Sequence, residues 1–172
     1  EDRHGIVLAK SEAAKKAGIK TGMVNWEARQ KCPGLIVLHP QYEQYLKYSK
    51  LTQEIYQRYT DKVEPFGMDE CWLDVTGALG RFANGEDLAH DIRKTVKEEL
   101  GLTVSIGVSF NKVFAKLGSD LKKPDAVTPV TEESFRTQIW PLPASELIYC
   151  GRATIKKLMS YGIYTIGDVA GV

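Results

Sequence analysis

Residues 62–75 read KVEPFGMDECWLDV, and the way this stretch is folded decides the architecture around it. Two β-like runs, Lys62 to Phe66 and Cys71 to Val75, flank Gly67, Met68, Asp69 and Glu70, which predicts an antiparallel hairpin. Asp69 and Glu70 stand side by side at its bend, and Asp74 follows four residues later. Neighbours in a strand point to opposite faces, so these two acids can address one ion together only where the backbone turns. Charged turns are commonly just solvated, and that reading stays open here. The alternative is a magnesium site, because hard divalent cations choose carboxylate oxygens and leave room for substrate phosphates. In two-metal phosphoryl transfer the ions lie ~3.5 to 4 Å apart, and such a site needs a third acid on a neighbouring strand.

Working outward, Pro40 opens a long helix from about Gln41 to Thr60. Its Tyr42, Tyr45, Leu46, Ser49, Thr52, Ile55, Tyr56 and Tyr59 recur at three and four residues, which predicts one buried face. Gly85 to Leu100 is an amphipathic helix ended by Gly101, Thr103 to Val108 is a β-branched strand, and Asn111 to Lys122 is a further helix. The order is helix, strand, strand, helix, strand. With one preceding strand it becomes βαββαβ, the ferredoxin-like α+β arrangement. Ahead of it, Ile6 to Ala9 and Leu35 to Leu38 read as short strands, while Ser11 to Ala17 and Met23 to Lys31 read as short helices, together a small module. The tail from about Thr131 to Val172 reads as helical and separate. A ferredoxin-like sheet hosts many functions, so function has to come from the site.

Hydrophobic residues make up 43% and charged residues 26% of the chain, values of an ordinary soluble globular protein. The net charge of +1 neither demands nor excludes a nucleic-acid partner, so a basic surface has to come from local clustering. Cys32, Cys71 and Cys150 are odd in number, far apart and outside any CxxC pattern, which argues for reduced thiols. Two basic clusters stand out. Lys112 and Lys116 share a helix face in the run Asn111, Lys112, Lys116, Asp120, Lys122, Lys123, Pro124, although lysines near a helix end also simply complement its dipole. In Cys150, Gly151, Arg152, Ala153, Thr154, a glycine turn feeds a helix whose free N–H groups can hold a DNA phosphate, with Arg152, Lys156 and Lys157 adding charge.

The blocks GMDECWLD (67–74), SIGVSFNKVFAK (105–116) and SDLKKP (119–124), with the glycine-containing tail, resemble the Y-family, or translesion, DNA polymerases of the UmuC and DinB type. That resemblance implies a right hand with fingers over 1–40, a ferredoxin-like palm over 41–130 and the start of a helix-hairpin-helix thumb over 131–172. It implies that Asp69 and Glu70 are the paired catalytic acids that bind two Mg²⁺ ions, and that Lys123 holds the triphosphate of the incoming nucleotide. Lys15 would meet a phosphate as a point charge. Asn111, Lys112 and Lys116 would lie nearby and support the palm and the primer strand, and Gly151, Arg152, Thr154 and Lys156 would grip the duplex backbone. The implied partners are primer-template DNA, a deoxynucleoside triphosphate (dNTP) and a sliding clamp reached through a C-terminal region. No membrane is implied, and a cytoplasmic location is expected.

Several positions depart from the family pattern. Its opening motif, an Asp followed by two aromatics, is expected ahead of Gly5 and is absent; Asp2 stands too close to the fingers and has no aromatics after it. Without that motif's acid the metal pair cannot be completed, so this fragment is expected not to polymerise by itself; the N-terminal palm strand and the C-terminal little finger are likewise expected outside it. Glu12 and Lys15 stand where many relatives have Tyr and Arg, and Tyr149 stands where the first hairpin glycine of the thumb is expected. Two other functions share these features: a nucleotide cyclase, which places acids on the same fold, and a non-catalytic DNA-binding module.

Overall fold

The computed structural model describes residues 5–171, so Asp2 lies outside the described residues. The chain divides into two compact units, Glu1–Gln41 and Tyr42–Val172.

In the first unit, helix α1 (Glu12–Lys16) begins where the Ser11 hydroxyl accepts a hydrogen bond from the Ala14 amide. Helix α2 (Asn25–Lys31) follows, and Ile19 and Ala28 are its buried apolar centre. The strands expected at Ile6 to Ala9 and Leu35 to Leu38 do not form. Ile6 makes a single antiparallel bridge to Val24, and Ile36 and Leu38 remain 82% and 83% exposed. Val7 exchanges backbone hydrogen bonds with Met23 and Gly22 around that bridge, but the pairing goes no further, and a four-residue apolar run becomes a strand only when another edge accepts its hydrogen bonds along its length.

The second unit opens with α3 (Tyr42–Tyr56), shorter than its sequence pattern suggested. Its apolar stripe is buried only at the C-terminal end, at Ile55, while Tyr42, Tyr45 and Leu46 are exposed. Strands β1 (Val63–Phe66) and β2 (Glu70–Leu73) form the expected antiparallel hairpin, with Phe66 opposite Glu70 and Glu64 opposite Trp72. Gly67 takes φ +71 at the start of the three-residue connection, a left-handed geometry that costs glycine no Cβ clash. Helix α4 (Gly85–Leu100) is capped by the Asn84 side chain at one end and by left-handed Gly101 at the other. Its Leu88, Ile92 and Val96 pack with Ile55 of α3 as the first core.

Strand β3 (Ile106–Ser109) leads into α5 (Lys112–Leu121), where the Asn111 side chain caps the Phe114 amide. β4 (Val127–Val130) was not expected from the sequence, because Pro129 inside the run argues against a strand. It pairs in parallel with β3, Ile106 opposite Val127 through Ser109 opposite Val130. The described strands thus make two two-stranded sheets, β1–β2 and β3–β4.

Helices α6 (Phe135–Gln138), α7 (Arg152–Ser160) and α8 (Ile166–Ala170) complete the tail. The tail is not separate, as its pattern suggested. Ile139 and Ile166 form a second core with Leu117 of α5 and Val130 of β4, so its apolar residues are buried against the β3–α5–β4 layer.

Candidate active site on the β1–β2 hairpin

The hairpin places its two acids differently. Asp69 lies in the turn and is exposed, and among the described residues its side chain takes no hydrogen bond or ion pair. Glu70 begins β2 and is half-buried, and its Oε1 accepts from the Lys116 ammonium at 2.7 Å. The hairpin is pinned to the start of α5 by Trp72, whose indole N–H donates to the Lys112 carbonyl at 3.1 Å. The Phe66 and Trp72 ring centres are 4.7 Å apart, the Lys112 ammonium lies 5.4 Å over the Trp72 ring, and Lys112 also pairs with Glu64.

Lys116 is the hub of this region. It sits one helical turn from Asp120, and its ammonium donates to Asp120 Oδ2 at 2.8 Å as well as to Glu70. The other Asp120 oxygen, Oδ1, pairs with Lys123 at 2.7 Å. A ladder therefore runs Glu70, Lys116, Asp120, Lys123. Burial pulls the Lys116 pKa down, but the bonds and charges of Asp120 and Glu70 outweigh it and hold the ammonium above its ordinary value. Burial likewise pushes Asp120 up, and its two lysines more than reverse that, leaving it below the usual carboxylate range.

Lys116 was expected on the primer strand. In the structure its side chain is 18% exposed and held between two carboxylates. Lys112 and Lys123 are exposed on the same unit, whereas Lys15 belongs to the other unit, where it lies 3.9 Å from Glu12. The segment after α5 is anchored by Asp125, which accepts from Arg93 and Lys97 of α4 at 2.7 Å each. Sequence reading assigned no role to Asp120 or Glu64. The Lys116, Asp120, Lys123 spacing of four and then three was the available signal, since it puts all three on one helical stripe.

Whether a magnesium ion fits can be judged from the donors. Two adjacent carboxylates, one exposed and unpaired and one held by an ammonium that a dication can replace, are hard-oxygen ligands that suit it. No group of three His, Cys, Asp or Glu side chains placed to hold a metal occurs among the described residues. The hairpin thus fits as part of a coordination shell, with the remaining ligands to come from water, phosphate or another segment.

In the tail, Gly151 caps α7 with no side-chain bond, so the first amides of a nine-residue helix are left for an outside acceptor. Arg152, Thr154 and Lys156 are exposed beside them. Tyr149 holds φ +64, which fits its standing where a glycine is expected, and its ring meets Phe66 edge-on at 6.3 Å.

The impB/mucB/samB family matches residues 1–120. The chain is 57% identical over 170 residues to a DNA polymerase IV of Acetivibrio thermocellus and 40% identical to one of Clostridium acetobutylicum, in each case over 99% of this chain and 43% of the relative. It therefore spans under half the length of the curated relatives it matches. Among solved structures, a Y-family polymerase chimera of Dbh and Dpo4 superposes with a TM-score of 0.90 at 28% identity, over 99% of this chain and 50% of that one. DinB from Sulfolobus solfataricus gives a TM-score of 0.87 at 29% identity, over 98% of this chain and 50% of that one. The match over residues 1–120, the named relatives and the shared α+β palm fold together show that this chain belongs to the impB/mucB/samB family of Y-family DNA polymerases.

Proposed function

We propose that the whole protein is a DNA-directed DNA polymerase of the lesion-bypass type, which joins a deoxynucleotide from a dNTP to a primer 3′ hydroxyl with release of pyrophosphate. The observation that carries this reading is the pairing of adjacent acids at the hairpin bend with a lysine ladder that ends at an exposed Lys123. In this reading the fingers comprise 1–40, the palm 41–130 and the beginning of the thumb 131–172.

Asp69 and Glu70 hold Mg²⁺, which neutralises charge on the phosphates and on the attacking and leaving oxygens when bound. The other contributions come from the chain itself. Lys123, on the anchored segment after α5, holds the triphosphate, and Lys15 adds a point charge from the fingers. Lys112 and Lys116, beside the hairpin, support the palm and the primer strand. Gly151, Arg152, Thr154 and Lys156 hold backbone phosphates without reading sequence. Catalysis in such a site is positioning and charge neutralisation. A sliding clamp, reached through a C-terminal region, and a cytoplasmic location complete the proposal. Two related Dbh structures are ternary complexes, which supports a site that takes DNA and nucleotide together.

Primer extension with Mg²⁺ by the full-length protein tests the assignment. Asp69→Ala or Glu70→Ala is expected to lower extension by at least ~10²–10³-fold while duplex binding persists. Unchanged extension in either variant removes the acids from the site. Lys123→Ala is expected to raise the KM for dNTP with a smaller change in the affinity for DNA, and an unaltered KM returns that lysine to a structural role.

A further inference from the structure

Asp120 is the one carboxylate of the ladder that touches two ammoniums, through separate oxygens, and each of those ammoniums has a second claimant. Lys116 is shared with Glu70, an acid proposed to hold the cation, and Lys123 is the group proposed to hold the triphosphate. We propose that Lys116, Asp120 and Lys123 act as an ion-pair relay, in which a phosphate on Lys123 releases Glu70 to a divalent cation and a cation on Glu70 releases Lys123 to a phosphate. The proposal rests on the nucleotide reading above and adds to it how two halves of the site communicate. Asp120 is a positioning residue, since it acts through its two lysines.

The direction follows from charge counting along the ladder. When a phosphate draws Lys123 away, the whole charge of Asp120 falls on Lys116, which is then held less tightly by Glu70. When a dication takes Glu70, Lys116 turns wholly to Asp120, and Lys123 is freed. The two effects are one coupling free energy seen from its two ends, so they must be equal. Lys116 is mostly buried, which limits solvent screening of its pairs, whereas the Asp120–Lys123 pair is more exposed and sets the size of the effect at about five-fold or less.

The relay predicts opposite signs for the two ligands in Asp120→Asn. With Lys123 released, dATP without metal binds about three- to five-fold more tightly. With Lys116 left to Glu70 alone, Mn²⁺ without nucleotide binds more weakly by a similar factor. A merely structural role for Asp120 would weaken both. A general change of charge would give the same signs, so two comparisons separate it. Glu64→Gln removes a carboxylate that sits on Lys112, outside the ladder, and is expected to leave both affinities within about two-fold. In a Lys116→Met background the effect of Asp120→Asn on Mn²⁺ is expected to vanish, because the intermediary is gone.

Binding is read on the full-length protein by fluorescence titration of dATP and by paramagnetic resonance of free Mn²⁺. Equal responses in Asp120→Asn and Glu64→Gln, or like-signed changes for the two ligands, overturn the relay alone, and the Glu64 comparison decides even where Lys116→Met fails to fold. A wild-type protein that binds neither probe overturns the nucleotide reading and the relay with it.

Discussion

Tyr149 shows how a single residue can be read from both its chemistry and its backbone. A non-glycine residue in the left-handed region costs roughly 1–2 kcal/mol, and its edge contact with Phe66 can return only about 0.5–1.5 kcal/mol, less for a ring that is 87% exposed. Tyr149→Gly removes the clash but gives the unfolded chain about 0.5–1 kcal/mol of extra freedom. Its stability, measured by urea unfolding, is therefore expected to stay within about 1 kcal/mol of the parent. Tyr149→Val, β-branched and intolerant of positive φ, is expected to lose about 1–2 kcal/mol. Equal effects from the two would mean that the loop relaxes and that no strain is held there. At Asp69 and Glu70 the residue types suggested the chemistry, but not that only Glu70 would be held by a lysine while Asp69 stayed open.

Among the elements, the crossing of α5 over β3 is the tightest. A Cβ at Gly107 would lie 1.9 Å from the Ala115 carbonyl oxygen and 2.6 Å from the Ser119 nitrogen, both backbone atoms of α5 that cannot swing aside. On the facing side, a Cβ at Gly118 would come within 3.2 Å of the Gly107 Cα. This pair of glycines lets the helix lie close on the β3–β4 layer, and that approach aims Lys116 at Glu70. Gly107→Ala is accordingly expected to cost about 3 kcal/mol, since overpacking forces the backbone to move. A loss below about 1 kcal/mol in urea unfolding would show that α5 has room to retreat. Because Lys116 rides on that helix, the same variant is expected to weaken binding of nucleotide and metal even where it folds.

Over the whole molecule, stability is tied to carboxylates that are held ionised. The hydroxyl and amide of Thr76, followed by Lys62, bring Asp74 down to about 2. Lys97 and Arg93 depress Asp125, and the Thr165 and Tyr164 amides depress Asp168 at the start of α8. A carboxyl with a lowered folded pKa contributes stability above its unfolded value, near ~3.9, and loses it as the pH falls through the folded value. The melting temperature is therefore expected to fall between about pH 4 and about pH 2, by a modest amount because solvent screens these carboxyls. A flat Tm across that window, read by calorimetry, would contradict the ionic anchoring of these three positions. The fall should affect the tail as well, because Asp168 completes the capping box on Thr165 that begins α8, whose Ile166 is part of the second core.

The sequence by itself determined the local elements and named the candidate residues they carry. The 3.6-residue period of Leu88, Ile92 and Val96 forces an amphipathic helix, Gly101 ends it, Gly67 turns the hairpin, and adjacent acids at a bend point to a dication. Short-range rules decide such features, because the partners lie within a few residues of each other. Tertiary structure alone decided which apolar runs became strands. Val127–Val130 found the edge of β3 despite Pro129, while Leu35 to Leu38 found none within its own unit. It also decided that the tail shares a core with α5, and that Lys116 faces Glu70 across 46 residues of chain rather than facing solvent. Edge pairing, burial and ion pairing depend on which distant groups arrive at the same place, and no periodicity along the chain records that.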